Sequence, residues 1–257
     1  FIIDNVFTQN ARPVSVYSDD IRGTIYSNTY SDNTKNYIEI QATPLRGNWS
    51  DNNYYWKEDG APYVVTGSFE VFRESGDNNW ANARSVLKIE SGTIVQFYPN
   101  TELFIGSNTG NNGWWGALQA DGVTFTAFDT TDTWGRIRYH NKSIDDSSYN
   151  YIKNSTIEYA DDGVYCESAS PTIRGTMFRY NGDGIESDNG SQPFIIDNVF
   201  TQNARPVFVY SDDIRGTIYS NTYTDNTKNY IEVQATNLHG NWSDNNYYWK
   251  QDGAPYV

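Results

Sequence analysis

The chain has 257 residues, of which 19% are charged and 16% aromatic, and its net charge at pH 7 is −14. This acidic excess argues against a nucleic-acid partner, because phosphates need a basic surface. No apolar run approaches the roughly 20 residues of a membrane helix, so we expect no membrane insertion. The single cysteine, Cys166, excludes an internal disulfide, and we expect it to be a small buried apolar residue.

The first residues, Phe1-Ile2-Ile3-Asp4, read as the middle of a strand, with no starting Met and no signal peptide. We therefore expect the sequence to be a piece of a longer protein. Residues 1–64 recur as residues 194–257 at an offset of 193, with 58 of 64 positions identical. This predicts one full tandem repeat unit over 1–193 and the first third of the next over 194–257. Solenoid repeats usually have about 20–50 residues, so each unit should consist of smaller turns.

Residues 41–85 are the least regular part of the unit, and we expect loops or an insertion there. Regular turns are visible further along, where Ile152, Ile173, Ile195 and Ile218 follow one another at successive steps of 21, 22 and 23 in the numbering. A large apolar residue follows five positions after each, namely Ile157, Phe178, Phe200 and Tyr223. Another follows twelve positions after each, namely Val164, Ile185, Val207 and Tyr230 or its neighbour Ile231.

Gly, Asn and Asp separate these short apolar segments, which is typical of strands joined by tight turns. A constant step places each strand above its copy in the previous turn, about 4.8 Å away. The pattern predicts an all-β parallel β-helix, a solenoid with coils of about 21–23 residues. A β-sandwich stays open as the alternative fold.

Two polar columns follow from the same alignment. Eight positions after each Ile the residues are Ala160, Asn181, Asn203 and Asn226, and stacked Asn side chains form hydrogen-bonded ladders. Ten positions after each Ile they are Asp162, Asp183, Arg205 and Lys228, which predicts a surface ladder of acidic and basic groups.

Residues 62–200 resemble the right-handed parallel β-helix repeat proteins of bacterial surfaces. The resemblance rests on blocks such as Ile89-Glu90-Ser91-Gly92-Thr93, Trp134-Gly135-Arg136-Ile137 and Ile152-Lys153-Asn154-Ser155-Thr156-Ile157. It implies a right-handed coil, secretion to the outside of the cell and a role as a fibre, filament or adhesin. The pectate-lyase-like superfold also includes polysaccharide lyases and hydrolases, so the fold alone does not decide the function.

Acidic residues of two neighbouring turns are the candidates for a metal or catalytic site. A hydrolase of this fold needs two or three carboxylates on neighbouring coils, and the candidates are Asp161, Asp162, Asp183, Glu186 and Asp188. Asp162, Asp183 and Glu186 form the candidate Ca²⁺ site. The alternative interpretation is turn chemistry, since Asp and Gly favour turns. We assign no catalytic residue, expect a protein that is not an enzyme and expect no cofactor other than Ca²⁺.

Aromatic residues of the repeated segment are the candidates for ligand binding. They are Trp49, Tyr55 and Trp56 and their copies Trp242, Tyr248 and Trp249. Exposed rings stack on sugars or on a neighbouring subunit, whereas buried rings would close a loop over the coil.

Three functions follow from these observations. The first is a structural rod that continues into further repeats or associates end to end with another copy. The second is an adhesin that binds glycans through its aromatic loops. The third is a polysaccharide lyase or hydrolase.

Overall fold

A computed structural model describes residues 1–47, 53–73, 84–107, 114–188, 190–236 and 248–257. Within these ranges the regular structure is short β-strands and one 3-10 helix, Ser18–Asp20. None of the described segments forms a helix of the length and apolar character that crosses a membrane.

The strands follow one another along the chain in groups of three, and each group forms one coil. In chain order they are β1 (Ile2–Ile3), β2 (Val6–Thr8), β3 (Val14–Tyr17), β4 (Ile25–Tyr26), β5 (Thr29–Ser31), β6 (Ile38–Gln41), β7 (Asn53–Trp56), β8 (Tyr63–Val65), β9 (Phe69–Val71), β10 (Arg84–Ile89), β11 (Ile94–Phe97), β12 (Leu103–Ile105), β13 (Trp115–Asp121), β14 (Thr124–Ala127), β15 (Ile137–Tyr139), β16 (Tyr151–Lys153), β17 (Thr156–Glu158), β18 (Asp162–Cys166), β19 (Thr172–Arg174), β20 (Met177–Arg179), β21 (Asp183–Ser187), β22 (Phe194–Ile196), β23 (Val199–Thr201), β24 (Arg205–Tyr210), β25 (Ile218–Tyr219), β26 (Thr222–Thr224) and β27 (Ile231–Gln234).

Three parallel sheets run along the stack of coils. The first sheet has the order β25-β22-β19-β16-β13-β10-β7, the second β26-β23-β20-β17-β14-β11-β8-β6-β3, and the third β27-β24-β21-β18-β15-β12-β9. Two further pairs, β1 with β4 and β2 with β5, complete the first coils. Side chains alternate between the interior and the solvent along each strand, so the inward residues of every coil share one continuous core.

The predicted isoleucine column is confirmed. Ile152 pairs with Ile173, Ile173 with Ile195, and Ile195 with Ile218, and all four side chains are buried. The second column is confirmed as well, and three of its rings form a stack in which Phe200 lies 5.0 Å from Phe178 and 5.2 Å from Tyr223 between centroids. In the third column Val207 pairs with Ile231, so the inward residue is Ile231 rather than its neighbour Tyr230.

Coil length differs along the chain. The predicted step holds from Ile152 to Ile218 and between Ile2 and Ile25, but the coils between Trp56 and Ile152 are longer: Trp56 pairs with Ile89, Ile89 with Ala120, and Ala120 with Ile152, at steps of 33, 31 and 32. The predicted coil length is therefore wrong for this earlier part of the chain. Some of the additional residues lengthen the strands of the first sheet, since β10 has 6 residues and β13 has 7 against 3 in β16, and the others lie in the connections. Residues 41–85, where we expected loops or an insertion, contain β7, β8, β9 and the start of β10 in their described part, and residues 48–52 and 74–83 of this stretch lie outside the described residues.

Two asparagine ladders follow the corners of the coil. Asp197 and Gln202 adopt left-handed backbone angles, with φ of 56° and 58°, and each turns the chain from one strand into the next. The residue after each is a buried asparagine, Asn198 or Asn203. The ladder that contains Asn203, which we call the Asn203 ladder, confirms the predicted column. Asn181 donates to Oδ1 of Asn203 from both its backbone nitrogen (3.1 Å) and its Nδ2 (3.0 Å).

The second ladder, which the sequence alignment missed, ends at a carboxylate. Asn198 Nδ2 donates to Asn221 Oδ1 at 3.1 Å, and Asn221 Nδ2 donates to Asp252 Oδ2 at 2.9 Å. The first copy repeats this arrangement with Asn5, Asn28 and Asp59. Asparagine both donates and accepts, whereas an ionised aspartate only accepts. Aspartate therefore ends the ladder at the same point of each copy.

The two copies of the repeated segment lie in different sheets. Strands β3 and β6 belong to the second sheet, whereas their copies β24 and β27 belong to the third. Ile38 of β6 pairs with Tyr63 of β8, and the copies of these residues, Ile231 and Tyr256, also form a parallel bridge. The third sheet therefore continues to Tyr256, whose copy Tyr63 belongs to the second sheet. The same segment of the repeat thus occupies different sheets in the two copies.

Candidate functional site

The three predicted metal ligands come together on the outer face of the third sheet. Asp162 opens β18, and Asp183 and Glu186 lie on β21, the next strand of the sheet. Asp162 pairs directly with Asp183. One carboxylate oxygen from each residue lies within 4.8 Å of the others. We call Asp162, Asp183 and Glu186 the acidic trio.

Two glycines determine the position of the aspartates of the trio. Gly163 and Gly184 follow the two aspartates, and an added Cβ on Gly184 would lie 2.5 Å from the carbonyl oxygen of Pro206 and 2.8 Å from the ring of Phe200. The backbone therefore passes directly over the aromatic stack of the core, which only glycine allows. The preceding aspartate side chains point to the outside at the edge of the strand.

Two arginines neutralise the aspartates. Arg136 forms an ion pair with Asp162, and Arg205 Nε donates to Asp183 Oδ1 at 2.9 Å. Arg205 also lies 3.5 Å from Glu186 and 3.6 Å from Glu232. The predicted pairing of Asp183 with Arg205 along one column is confirmed. Lys228, the last residue of that column, pairs with Glu232 at 2.7 Å.

Burial and neighbouring negative charges raise the pKa of two members of the trio, Asp162 and Glu186. Burial raises the pKa of Asp162 to about 6, and Arg136 opposes this shift. Burial, followed by the charge of Asp162 and contact with Asp183, raises the pKa of Glu186 to about 7. Near neutral pH the cluster can exchange a proton, and it offers three oxygens to a cation. This is the chemistry of a proton reservoir or a weak cation site.

Aromatic rings flank the trio on the same face. Tyr165 pairs with Glu186 on one side and Phe208 pairs with it on the other. The guanidinium carbon of Arg205 lies 4.2 Å from the Phe208 ring centroid, and that of Arg138 lies 5.0 Å from the Tyr165 ring. The first copy has Ser15 in place of Phe208, so this stacked arginine differs between the copies.

The sequence alignment missed Arg136 and Tyr165. Arg136 lies in the coil before Asp162, but the two residues are further apart in the sequence than the constant step that defined the columns. The Trp134-Gly135 pair was a usable signal, because Trp134 forms a bridge with Ala160 and sets the register of this coil.

Acidic residues outside the trio have local roles. Asp19 Oδ1 accepts from Thr43 Oγ1 at 2.5 Å, and its copy Asp212 accepts from Thr236 in the same way. Asp161 and Asp188 lie outside the trio. These contacts agree with turn chemistry.

The predicted aromatic surface divides between core and solvent. Trp56 is fully buried, 5.3 Å from Tyr63 and 5.8 Å from Phe69 between ring centroids. Its prediction as a ligand-binding residue is wrong, because the side chain packs against two rings of the following strands and is not accessible to a ligand. Tyr55 is half-buried and its hydroxyl donates to Glu90 at 2.8 Å.

The remaining aromatic candidates lie in the second copy or outside the described ranges. Tyr248 is 59% and Trp249 43% exposed, so these two rings are accessible. Trp49 and Trp242 lie outside the described residues. The exposed pair does not form a joint surface with Tyr55, because the two copies are separated by the whole stack of coils.

Cys166 and His140 are buried. Cys166 is a fully buried free thiol, and burial raises its pKa. His140 Nδ1 lies 2.8 Å from Glu167, and burial lowers the pKa of the imidazole.

Stacked parallel strands with inward apolar columns define the class of protein, a parallel β-solenoid. Residues 136–254 match the family model described as a right handed beta helix region. Neither a curated protein nor a solved structure matches the chain. The match covers slightly less than half of the chain, and together with the continuous stack of parallel sheets it shows that the fold is a right-handed parallel β-helix.

Proposed function

We propose that the chain is a section of a structural tandem-repeat rod, a fibre or filament on the outside of a cell. The observation that carries this proposal is that the contacts between neighbouring coils of the repeated segment are the same in both copies. The Asn28–Asp59 contact recurs as Asn221–Asp252, and the pairing of β6 with the segment that follows recurs for β27. A coil-to-coil arrangement preserved in both sequence and contacts supports repeated stacking of units, which an isolated binding domain or enzyme does not need.

The rod has a calculable length. Strands β1 to β21 form the seven coils of one repeat unit, and coils are about 4.8 Å apart, so each unit adds about 34 Å. Electron microscopy of the native protein should show filaments of constant width whose length is a multiple of this value. Compact particles in the native material would contradict the rod. Antibody labelling of intact cells tests the extracellular location separately.

The rod grows by continuation into further repeats or by end-to-end association. Light scattering over a range of concentrations distinguishes association, which depends on concentration, from continuation, which does not.

We propose that the acidic trio is not catalytic. Ion pairs hold Asp162 and Asp183 to arginines, which supports a role in the charge ladder. Incubation with acidic and neutral polysaccharides should release no new reducing ends or unsaturated products. Activity that disappears in Asp183→Asn would assign the protein to the lyases or hydrolases instead.

Calcium at the trio is a further part of the proposal. Ca²⁺ prefers carboxylate oxygens, and the trio supplies three of them within 4.8 Å. Arg136 and Arg205 compete for two of these groups, so we expect weak binding in the range of about 10⁻⁴–10⁻³ M found in extracellular modules. Millimolar Ca²⁺ should raise the melting temperature of the wild type but not of Asp183→Asn. An unchanged wild-type melting temperature would contradict Ca²⁺ binding at the trio.

A further inference from the structure

A groove lies on the outer face of the first sheet, away from the acidic trio. Its volume is about 500 Å³, and its lining comes from one loop and three successive strands. The loop between β15 and β16 forms the wall, with Asp145, Asp146 and Ser147. The floor consists of outward residues of β16, β19 and β22 and the turn before β19, namely Lys153, Ser170, Thr172, Arg174, Phe194 and Ile196.

The strand register orders the floor. Lys153 pairs with Arg174 and Arg174 with Ile196, whereas Thr172 pairs with Phe194. These residues therefore form two parallel rows, one that begins with two cations and one that carries a hydroxyl and an aromatic ring. Three coils span about 10 Å along the axis. The floor is thus an elongated strip whose polar and apolar positions are fixed by backbone pairing.

The wall is fixed by hydrogen bonds. The backbone nitrogen of Ser170 donates to Asp145 Oδ1 at 3.1 Å, and the backbone nitrogen of Ser148 donates to Asp146 Oδ1 at 2.8 Å. The backbone nitrogen of Asn150 donates to the carbonyl oxygen of Asp146 at 2.8 Å. The loop is therefore held in place against the floor, so the groove is formed before any ligand enters.

The lining is electrically balanced although the protein is strongly acidic. Asp145 and Asp146 carry two negative charges, and Lys153 and Arg174 carry two positive ones. Arg174 also binds Asp197 at 3.0 Å, and the Lys153 ammonium lies 4.1 Å from the Tyr151 ring centroid. A groove of this kind attracts neither anions nor cations strongly, which favours a neutral ligand.

The groups of the lining match a sugar. Carboxylates accept hydrogen bonds, the cations donate them, and the hydroxyls of Ser147, Ser170 and Thr172 do both. Sugar hydroxyls also do both, so they can use such a mixed lining fully. Phe194 is 45% exposed, and an aromatic ring packs against the apolar C–H face of a sugar ring. The volume lies within the usual range of about 300–1,000 Å³ for ligand sites.

We propose that this groove binds a segment of a neutral oligosaccharide, with one sugar ring against Phe194 and hydroxyls bound by the wall and by Thr172. The wall residues 145–147 have no copy elsewhere in the chain, so the groove occurs once in the repeat unit that the chain contains. In a rod of several units the sites would recur along the axis, and binding of a long glycan would gain from their multiplicity. The site itself does not depend on the rod.

The test is titration of the whole chain with tetrasaccharides of β-1,4-glucan, β-1,4-xylan and chitin, followed by calorimetry and ligand-observed NMR. A galacturonate tetramer and the dipeptide Ala-Ala serve as anionic and zwitterionic comparisons. We expect saturable binding of at least one neutral tetrasaccharide in the millimolar range or tighter, with weaker binding of both comparisons.

The variants distinguish the groove from other surfaces. Phe194→Ala should weaken binding at least tenfold, and Thr172→Val, which keeps the shape of the side chain, should weaken it several-fold. Phe1→Ala is the matched control, because Phe1 is the copy of Phe194 and lies outside the groove; it should bind like the wild type. The proposal is overturned if no neutral tetrasaccharide binds, if a comparison ligand binds more tightly, or if Phe1→Ala and Phe194→Ala lose affinity equally.

Discussion

Asn203 donates a hydrogen bond from its Nδ2 to Oδ1 of Asn226, one coil further along the axis, at 3.0 Å. The same amide group accepts two hydrogen bonds from Asn181 and donates another to the carbonyl oxygen of Phe178. The side chain thus replaces the backbone partners that the corner of the coil lacks. The corner can be buried because each asparagine satisfies the polar groups of its neighbours.

Removal of an asparagine within the ladder should therefore cost more than removal of one at its first coil. Asn203→Ala leaves several buried polar groups without partners, and we expect a loss of about 2–4 kcal/mol in the free energy of unfolding. Asn10 is the copy of Asn203 and is exposed, so Asn10→Ala should cost less than about 1 kcal/mol. Urea unfolding of both variants measures the difference, and equal losses would contradict a role of the ladder in stability.

Replacement of the aspartate at the end of the second ladder by asparagine should destabilise the protein. Asp59 accepts from Asn28 through both carboxylate oxygens and from the Tyr30 hydroxyl at 2.6 Å. Asp59→Asn places an amide NH₂ against one of these donors and should cost about 1–3 kcal/mol, as an unsatisfied buried group does.

Tyr30→Phe provides the control for this aspartate. It removes one of the competing donors, so the double variant should lose less than the sum of the two single variants. A double-mutant cycle in urea measures this coupling. Additive losses would show that the tyrosine hydroxyl and the Asp59 carboxylate do not interact.

The raised pKa of Glu186 should make the protein less stable as the pH rises. Glu186 has a pKa of about 7 in the folded chain against an ordinary value of 4.5, so the folded state holds the proton more tightly than the unfolded state. The stabilisation is complete below about pH 4.5 and is lost as the pH rises through about 7. One pKa unit corresponds to about 1.4 kcal/mol, and partial exposure reduces the effect, so we expect Glu186→Gln to abolish a loss of about 1–2 kcal/mol between pH 5 and 8.

Glu58→Gln is the matched control for this pH dependence, because the second copy already has Gln251 at the equivalent position. It should leave the slope of the free energy of unfolding against pH unchanged. If Glu186→Gln has the same slope as the wild type, the trio does not bind the additional proton.

The change of sheet between the copies can be tested by cross-linking. Glu39 of β6 pairs with Val64 of β8 in the second sheet, and neighbouring parallel strands lie within the Cα separation that a disulfide spans. In a Cys166→Ala background, Glu39→Cys with Val64→Cys should form a disulfide under mild oxidation, as detected by mass spectrometry. The pair Glu39→Cys with Glu70→Cys should remain reduced, because β9 belongs to the third sheet. A cross-link between residues 39 and 70 would place β6 in the third sheet instead.

The predictable part of the fold was the region with a constant step. Ile173 and Ile195 could be aligned without a structure because both follow corners of equal length, and periodic burial leaves a direct mark in the sequence. Trp56 could not be classified in this way. An aromatic residue between polar ones has the same pattern whether it faces the solvent or the interior, and only the position of Tyr63 and Phe69 above it decides.

Some residues of the candidate sites could likewise be predicted from the sequence, and others could not. Asp162 and Asp183 were assigned to one column by counting, whereas Arg136 was not, because its coil is longer than the constant step. The floor of the groove at Lys153 and Phe194 lies in regular coils, but its wall comes from the loop between β15 and β16, which belongs to no column. Counting fails once a connection changes length, since the offset between pairing residues is then set by the loop and not by the strands.

The sequence by itself determined the repeat, the coiling of the regular region and the Asn203 ladder, because each depends on residues at constant separation along the chain. Only the tertiary structure decided which sheet each copy joins, which arginines neutralise the acidic trio and which aromatic rings are accessible. Those features depend on how coils of unequal length stack in space, and the energies of pairing and burial that fix this stacking arise between residues about 20 to more than 30 positions apart.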